Sequence, residues 1–101
     1  MERKHIHDLI AVDEFCANHN IEISFLTLLQ RNGLIEISTI ESQYFVEKEQ
    51  LPQLEKFVRF HYDLDINLEG IETISYLLQR IENLQNEIIK LKNRLRFYDA
   101  R

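Results

Sequence analysis

The first third of the chain places short apolar clusters between residues that stop helices. Residues 5–11 are rich in β-compatible side chains and predict a short strand. An Asp-Glu pair at 13–14 then favours the start of a helix, because acidic side chains are stabilised by the positive end of the helix dipole. We expect this helix to end at Asn20 and a second helix, over 22–32, to end at Gly33, since both residue types tolerate left-handed backbone. Two short helices around a tight corner predict a helix-turn-helix.

A hairpin and another helix are predicted downstream. Residues 34–40 and 43–46 are β-prone and are separated by a short polar break, which favours a small hairpin or wing. A helix over 49–64 has apolar residues at intervals of three and four, the pattern of one buried stripe: Leu51, Leu54, Phe57, Val58 and His61. Asn67 is a good N-cap for the helix that follows.

The last third of the chain carries a heptad repeat over a helix predicted for residues 68–98. Isoleucine or leucine occupies the first position and leucine or tyrosine the fourth: Ile74, Leu77, Ile81, Leu84, Ile88, Leu91, Leu95 and Tyr98. Isoleucine at the first position with leucine at the fourth is the preference of a parallel two-stranded coiled coil. An antiparallel pairing, or packing of the seam on the core of the same chain, remains open. A helix of this length exceeds what a small domain can cover, so the seam predicts a homodimer through the C-terminal coil.

These elements predict a mainly α fold with one main domain and a projecting element. We expect a winged helix-turn-helix domain with a small β wing over residues 1–70 and a C-terminal helix or coiled coil over 71–101. A single cysteine, Cys16, excludes an intrachain disulfide, and no apolar run is long enough to cross a bilayer. The polar start also lacks the apolar region of a secretory signal, so we expect a cytoplasmic protein without membrane contact.

Charge is distributed unevenly along the chain. The whole chain has a formal net charge of −5, with residues 1–50 at −5, residues 51–70 at −2 and residues 71–101 at +2. An acidic first half favours a basic partner and disfavours nucleic acid.

No pattern of residues predicts an enzyme, a cofactor or a metal site. Glycine-rich phosphate loops, nucleophile motifs and metal-ligand spacings are missing from the sequence. His5 and His7 could share one face of a strand, but a zinc site needs three or four ligands, so we expect surface histidines. Cys16 lies on the apolar face of the first helix and is expected to be a buried packing residue. Phe57, Phe60 and Tyr62 could stack bases, yet helical spacing favours core packing for two of them.

The order of these elements resembles the MerR family of transcription regulators. Closer still, "EFC" at 14–16 followed by Ile21, then "GLIE", "YFVEKEQLPQLEKFVRFHYDLDINLEGI" and a leucine-rich coil, is similar to the CbpM family of bacterial chaperone modulators. The resemblance covers residues 5–98. It implies a MerR-like winged helix-turn-helix fold and binding to the J-domain of a DnaJ-like co-chaperone of the CbpA type. Such binding would inhibit the action of that co-chaperone with DnaK.

The sequence departs from DNA-binding MerR proteins in its charges. Residues 12–50 hold two basic residues, Arg31 and Lys48, against seven acidic ones, whereas specific DNA binding neutralises several phosphates. The wing "STIESQYFVEKEQ" also lacks the glycine and arginines of those proteins. Asn20 and Glu22 stand where CbpM proteins usually have a glycine and a serine N-cap, which leaves the cap of the second helix in doubt.

A basic J-domain surface predicts acidic contacts with apolar anchors. For the acidic contacts we nominate side chains from the first half of the chain, and for the anchors two aromatic residues: Asp13, Glu14, Glu22, Glu36 and Glu41, with Phe25 and Tyr44. Two other functions remain open. The chain could be a MerR-family transcription regulator that binds DNA as a dimer, or an oligomerisation adaptor for another protein.

Overall fold

The structure is a computed structural model that describes residues 8–99. Seven regular elements follow one another along the chain, and their bounds are β1 Leu9–Ala11, α1 Val12–His19, α2 Ile23–Arg31, β2 Ser38–Ile40, β3 Gln43–Glu47, α3 Leu51–Val58 and α4 Leu68–Asp99. The chain divides into two compact units, one that ends at Ile71 and one that begins at Glu72. The mainly helical class with a small antiparallel sheet is confirmed. His5 and His7 lie outside the described residues.

The corner between α1 and α2 forms as the sequence predicts. Asn20 has φ 55° and ψ 49°, and its N–H donates to the Ala17 carbonyl. Ile21 N–H donates to the Cys16 carbonyl at 3.0 Å, which completes a tight stop after α1. Gly33, with φ 75°, ends the turn after α2 in the same way. Asn20 therefore ends α1, and Gly33 ends the turn after α2.

A three-stranded antiparallel sheet, in the order β1-β3-β2, packs on these helices. β2 and β3 form the predicted hairpin, joined by Glu41 and Ser42 with φ of 50° and 66°. Two successive left-handed residues make the type I′ geometry whose twist suits a two-residue hairpin turn. The predicted strand over 34–40 is too long, because only Ser38–Ile40 pairs with β3. Residues before it are held differently: the Gln50 side chain donates to the Glu36 carbonyl and accepts from the Glu36 N–H.

The helix predicted over 49–64 consists of three kinds of helix. A 3₁₀ turn at Lys48–Gln50 leads into α3, and a π-helical turn at Arg59–Asp63 follows it. Leu64 N–H donates to the Arg59 carbonyl at 3.1 Å, five residues back, and Asp65 then turns left-handed with φ 56°. The predicted buried stripe is present, with Leu54, Phe57 and Val58 buried and Leu51 and His61 half-buried.

One apolar core joins these elements. Its buried members come from every helix of the first unit, from β3, from the start of α4 and from the loop after α2: Val12, Phe15, Cys16, Phe25, Leu26, Leu29, Ile35, Val46, Leu54, Phe57, Val58 and Ile71. Cys16 is 3% exposed, which confirms it as a packing residue. Burial, aided by the nearby charge of Asp13, raises the pKa of its thiol.

The last helix starts at the predicted cap. Asn67 Oδ1 accepts a hydrogen bond from Gly70 N–H at 2.8 Å. A Cβ on Gly70 would come within 2.6 Å of Ile66 Cγ2 and 3.1 Å of Asn67 Oδ1, so glycine leaves room for the cap. The helix then runs for 32 residues, about 48 Å at 1.5 Å per residue.

Replacing the cap should destabilise the first unit, whose core includes Ile71 in the first turn of α4. We expect Asn67→Ala to lower the free energy of unfolding by about 1 kcal/mol, because Gly70 N–H loses its acceptor. Asn67→Asp keeps an acceptor oxygen at the same position and serves as the control. Urea unfolding followed by circular dichroism measures both variants. Equal losses of unfolding free energy in the two variants would show that the hydrogen bond from Gly70 N–H does not stabilise the fold.

Cys16 should make stability depend on pH in the alkaline range. The folded thiol has a raised pKa, whereas the thiol of the unfolded chain has a pKa of about 8.5. Above that pH the unfolded state loses a proton that the folded state keeps, so the stability contributed by the thiol is full below about pH 8.5 and declines as pH rises towards the folded pKa.

We expect the difference in unfolding free energy between the wild type and Cys16→Ala to shrink between about pH 8 and pH 10, in reducing buffer. The alanine variant has the same tyrosines and lysines, so it controls for their titration. Parallel pH profiles for the two proteins would contradict the raised thiol pKa.

Candidate functional site

A groove lies between α2 and the wing hairpin. Its volume is about 150 Å³, and uncharged side chains from α1, α2 and the β2–β3 region line it: Val12, Ile23, Thr27, Gln30, Ile37, Thr39 and Tyr44. Val12 is 1% exposed and is the most buried of the seven, whereas Tyr44 is 55% exposed. The groove is therefore an outward extension of the core.

Helical spacing on α2 explains one wall of this groove. Ile23, Thr27 and Gln30 are separated by four and three residues, so they share one face of the helix. Leu26 and Leu29 form the neighbouring, fully buried face. Thr27 Oγ1 donates to the Ile23 carbonyl at 3.2 Å, which uses its hydroxyl within the helix.

Strand alternation explains the opposite wall. Thr39 and Tyr44 are directly paired across β2 and β3, and they lie on the same face of the sheet as the buried Val46. Ser38 and its partner Phe45 lie on the other face. Tyr44 thus continues the core face of β3 beyond the point where the core ends.

The five nominated acidic residues are all exposed. Asp13, Glu22 and Glu36 each adjoin a lining residue of the groove in sequence, and Glu41 lies in the wing turn. Arg31 adjoins Gln30 and is the only base that directly follows or precedes a lining residue. Acidic residues therefore outnumber basic ones around the groove, although no contact joins the five acids into one cluster.

Glu22 occupies the N-cap position of α2 without capping it. No side-chain cap bond forms there, and the Glu22 carboxylate instead accepts from Ser24 Oγ at 3.2 Å. The Glu22 N–H donates to the hydroxyl of Tyr62, 3.3 Å away in the π-helical turn. Glu22 therefore provides no side-chain cap for α2, and Tyr62 binds only the N–H of Glu22 itself.

Phe25 cannot serve as an exposed anchor, so that part of the prediction is wrong. It is 5% exposed and stacks on His61, with ring centroids 4.7 Å apart and planes at 14°. Tyr62 meets Phe25 edge-on at 5.4 Å, and His61 Nδ1 lies 3.0 Å from the Ile66 carbonyl. Phe25 therefore joins α2 to the turn after α3. Phe57 and Phe60 also pack in or against the core, as the helical spacing predicts.

The residues that line the groove, apart from Tyr44, were not predicted as a site. The signal present in the sequence was the i, i+4, i+7 spacing of Ile23, Thr27 and Gln30 beside the buried stripe of α2. The wing wall had a weaker signal, because the register of two three- to five-residue strands depends on the turn that joins them.

The nominated coil residues lie along α4, and Ile74 is half-buried. The other six are between 48% and 62% exposed: Leu77, Ile81, Leu84, Ile88, Leu91 and Leu95. Tyr98 is also exposed. No helix among residues 8–99 is long and apolar enough to cross a membrane. Within the same residues, no three or more His, Cys, Asp or Glu side chains are grouped so that they could hold a metal ion.

The chain matches the sequence model of a known family over residues 10–93, and the family is described as MerR HTH family regulatory protein. The chain belongs to this MerR family. Comparisons with curated proteins and with solved structures gave no match. The match spans β1 to most of α4, so it covers the helix-turn-helix, the wing and the long helix together.

This MerR-family chain has few positive charges on the elements that a DNA-binding member would present to DNA. In α2 the single charged residue is Arg31, and the hairpin over 38–47 contains Glu41 and Glu47 without a lysine or arginine. Binding to duplex DNA draws much of its affinity from lysine and arginine contacts with phosphates. The α2 and wing surface of this chain therefore offers few of the side chains that make such phosphate contacts.

Proposed function

We propose that this MerR-family chain is a CbpM-like chaperone modulator. It binds the J-domain of a DnaJ-like co-chaperone of the CbpA type in the cytoplasm and hinders the action of that co-chaperone with DnaK. The mechanism is occupancy of the J-domain surface, so no catalytic residue, cofactor or metal is required.

The observation that carries this proposal is the charge of the first unit. Residues 1–71, which form this unit, hold thirteen acidic residues and six lysines or arginines, a net charge of −7. Residues 72–101 hold four acidic and six basic residues, a net charge of +2. J-domains present a strongly basic helix to DnaK. A field of opposite sign speeds the encounter of such partners and selects against wrong ones.

Exposed acids alone would give a weak complex, because an exposed ion pair contributes about 0–1 kcal/mol. An apolar anchor is therefore needed as well. Tyr44 remains a candidate because its side chain is more than half exposed at the end of the core face of β3. Phe25 is buried in the core and does not fill that role.

The rival function is DNA binding by a MerR-family transcription regulator, which the family match by itself also allows. The two functions predict opposite charge requirements. A DNA-binding dimer would depend on positive residues near α2 and the wing, where residues 12–50 hold two, Arg31 and Lys48.

We also propose that the chain acts as a homodimer through the seam of α4. Six seam side chains are about half exposed, and apolar residues repeated at heptad spacing are stabilised when a second helix covers them. Such a dimer would have two binding sites for J-domains, one on each chain.

The proposed function is tested by titrating the protein with the J-domain of its CbpA-type co-chaperone, using calorimetry at low and high salt. We expect saturable binding that weakens with salt, because exposed charges are screened. Converting the five nominated acids to amides should weaken binding by roughly tenfold, since five exposed pairs at a few tenths of a kcal/mol each approach 1.4 kcal/mol.

A matched control separates local charge from net charge. The variant Glu22→Gln, Glu36→Gln and Glu41→Gln removes three negative charges near the wing, and Glu72→Gln, Glu82→Gln and Glu87→Gln removes three from α4. The first variant should bind more weakly than the second. Failure of the wild type to bind at either salt, together with a shift of duplex DNA at low salt, would favour the transcription regulator.

The dimer is tested by sedimentation equilibrium. The wild type should sediment near twice its chain mass of 12.2 kDa. Leu84→Glu with Ile88→Glu places four carboxylates in the seam of the dimer and should produce monomers, because buried charges without partners are costly. Asn86→Glu with Asn93→Glu adds the same charges away from the seam and should remain dimeric. A monomeric wild type would contradict the proposed dimer.

A further inference from the structure

The groove between α2 and the wing has the size of one side chain. Its volume of about 150 Å³ equals that of a cavity that holds benzene, and its walls combine aliphatic side chains with the polar groups of Gln30 and two threonines. Val12, Ile23 and Ile37 offer aliphatic carbon, and Thr27 and Thr39 offer methyl groups beside their hydroxyls. A branched aliphatic or aromatic side chain therefore suits the groove better than a charged one, whose desolvation these walls would not compensate.

Charged residues next to the groove favour one sign of charge in the partner segment that carries the inserted side chain. Asp13, Glu22 and Glu36 are each bonded in the chain to a lining residue, so their Cα atoms lie about 3.8 Å from the Cα atom of that residue. All three side chains belong to exposed residues. Arg31 is the single base in an equivalent position. A positively charged segment is therefore favoured at the groove over an acidic one.

We propose that this groove receives one apolar side chain projecting from the basic helix of the J-domain. The inference rests on the proposed function and assigns the surface that carries it. Tyr44 and Ile23 cover the inserted side chain from the wing and from α2, while the neighbouring carboxylates meet the lysines and arginines of the same helix. The groove supplies the apolar anchor that the exposed acids lack.

Partly exposed groove residues support this assignment on energetic grounds. Tyr44 and Ile23 are 55% and 45% exposed, so docking on the groove would remove apolar surface from water. Residues that dominate binding tend to be aromatic or apolar side chains in pockets, surrounded by polar contacts that exclude water. The groove and its acidic neighbours have this arrangement.

The test fills the groove without changing charge. In Thr39→Trp the indole starts from the groove wall, whereas in Ser38→Trp, one residue earlier on β2, it starts from the opposite face of the hairpin. Both positions are exposed. We expect Thr39→Trp to bind the J-domain about tenfold more weakly or worse, because the indole excludes the inserted side chain, and one group lost from an apolar pocket costs roughly 10–200-fold. Ser38→Trp should bind within twofold of the wild type.

Thr27→Trp fills the groove from the α2 wall and leaves the hairpin sequence unchanged, so it tests the groove independently of any effect of Thr39→Trp on the hairpin. We expect it to weaken J-domain binding by the same factor. Circular dichroism melting verifies that each variant is folded. If Thr39→Trp and Thr27→Trp both bind the J-domain as tightly as the wild type, the groove assignment is wrong and the proposed function is unaffected. Absence of wild-type binding would overturn both.

A direct readout comes from isoleucine methyl signals in the nuclear magnetic resonance spectrum of the full chain. Addition of the J-domain should shift the signals of Ile23 and Ile37, which line the groove. Ile81 and Ile88, on the seam of α4, serve as internal controls and should shift less. Saturable binding without movement of the Ile23 and Ile37 signals would also overturn the groove assignment.

Discussion

Helices α1, α2 and α3 contain eight or nine residues each, and helices of this length are not stable in water without tertiary contacts. The strands have three to five residues and need support in the same way. All of these elements depend on one shared core. Leu26, Leu29 and Leu54 are fully buried within it, and Ile71 ties the start of the long helix to the same core. The groove exists because this core ends before the wing does.

The order and type of most elements could be predicted from the sequence because they depend on local signals. Asn20, Gly33 and Asn67 act through their own backbone or side-chain geometry, so their effects are visible without knowledge of the fold. The heptad spacing of α4 is local in the same sense. These signals fixed where the helices begin and end to within one or two residues, except for the mixed helix after the wing.

Features that arise from distant contacts could not be predicted in this way. Phe25, Leu26, Leu28 and Leu29 form one apolar cluster in the sequence, and only the packed fold decides which of them are covered. Phe25 is buried by His61 and Tyr62, more than thirty residues away. The loop before β2 avoids strand pairing because Gln50 binds the Glu36 backbone. The groove also combines residues of four elements, α1, α2, β2 and β3, so no single periodicity could reveal it.

Membership of the MerR family and an acidic first unit are compatible because fold and surface charge depend on different residues. The packing of α1, α2 and α3 requires apolar side chains on their inner faces, whereas affinity for DNA or protein depends on the outer ones. Tyr62 supports the fold without contributing to the surface charge. Its hydroxyl accepts a hydrogen bond from the Glu22 N–H and so connects the start of α2 to the turn after α3, although Glu22 does not cap α2.

The two left-handed residues Glu41 and Ser42 fix the register of the wing. Side chains alternate between the two faces of a strand, and β3 is also held by its pairing with β1. One residue added to this turn would therefore shift β2 by one position and replace Thr39 with a residue of the opposite face. The groove would then lose the Thr39 side chain although the sheet would still form. In evolution, the hairpin can therefore lengthen by two residues without changing which side chains face the groove, whereas a single insertion would change them and leave the fold intact.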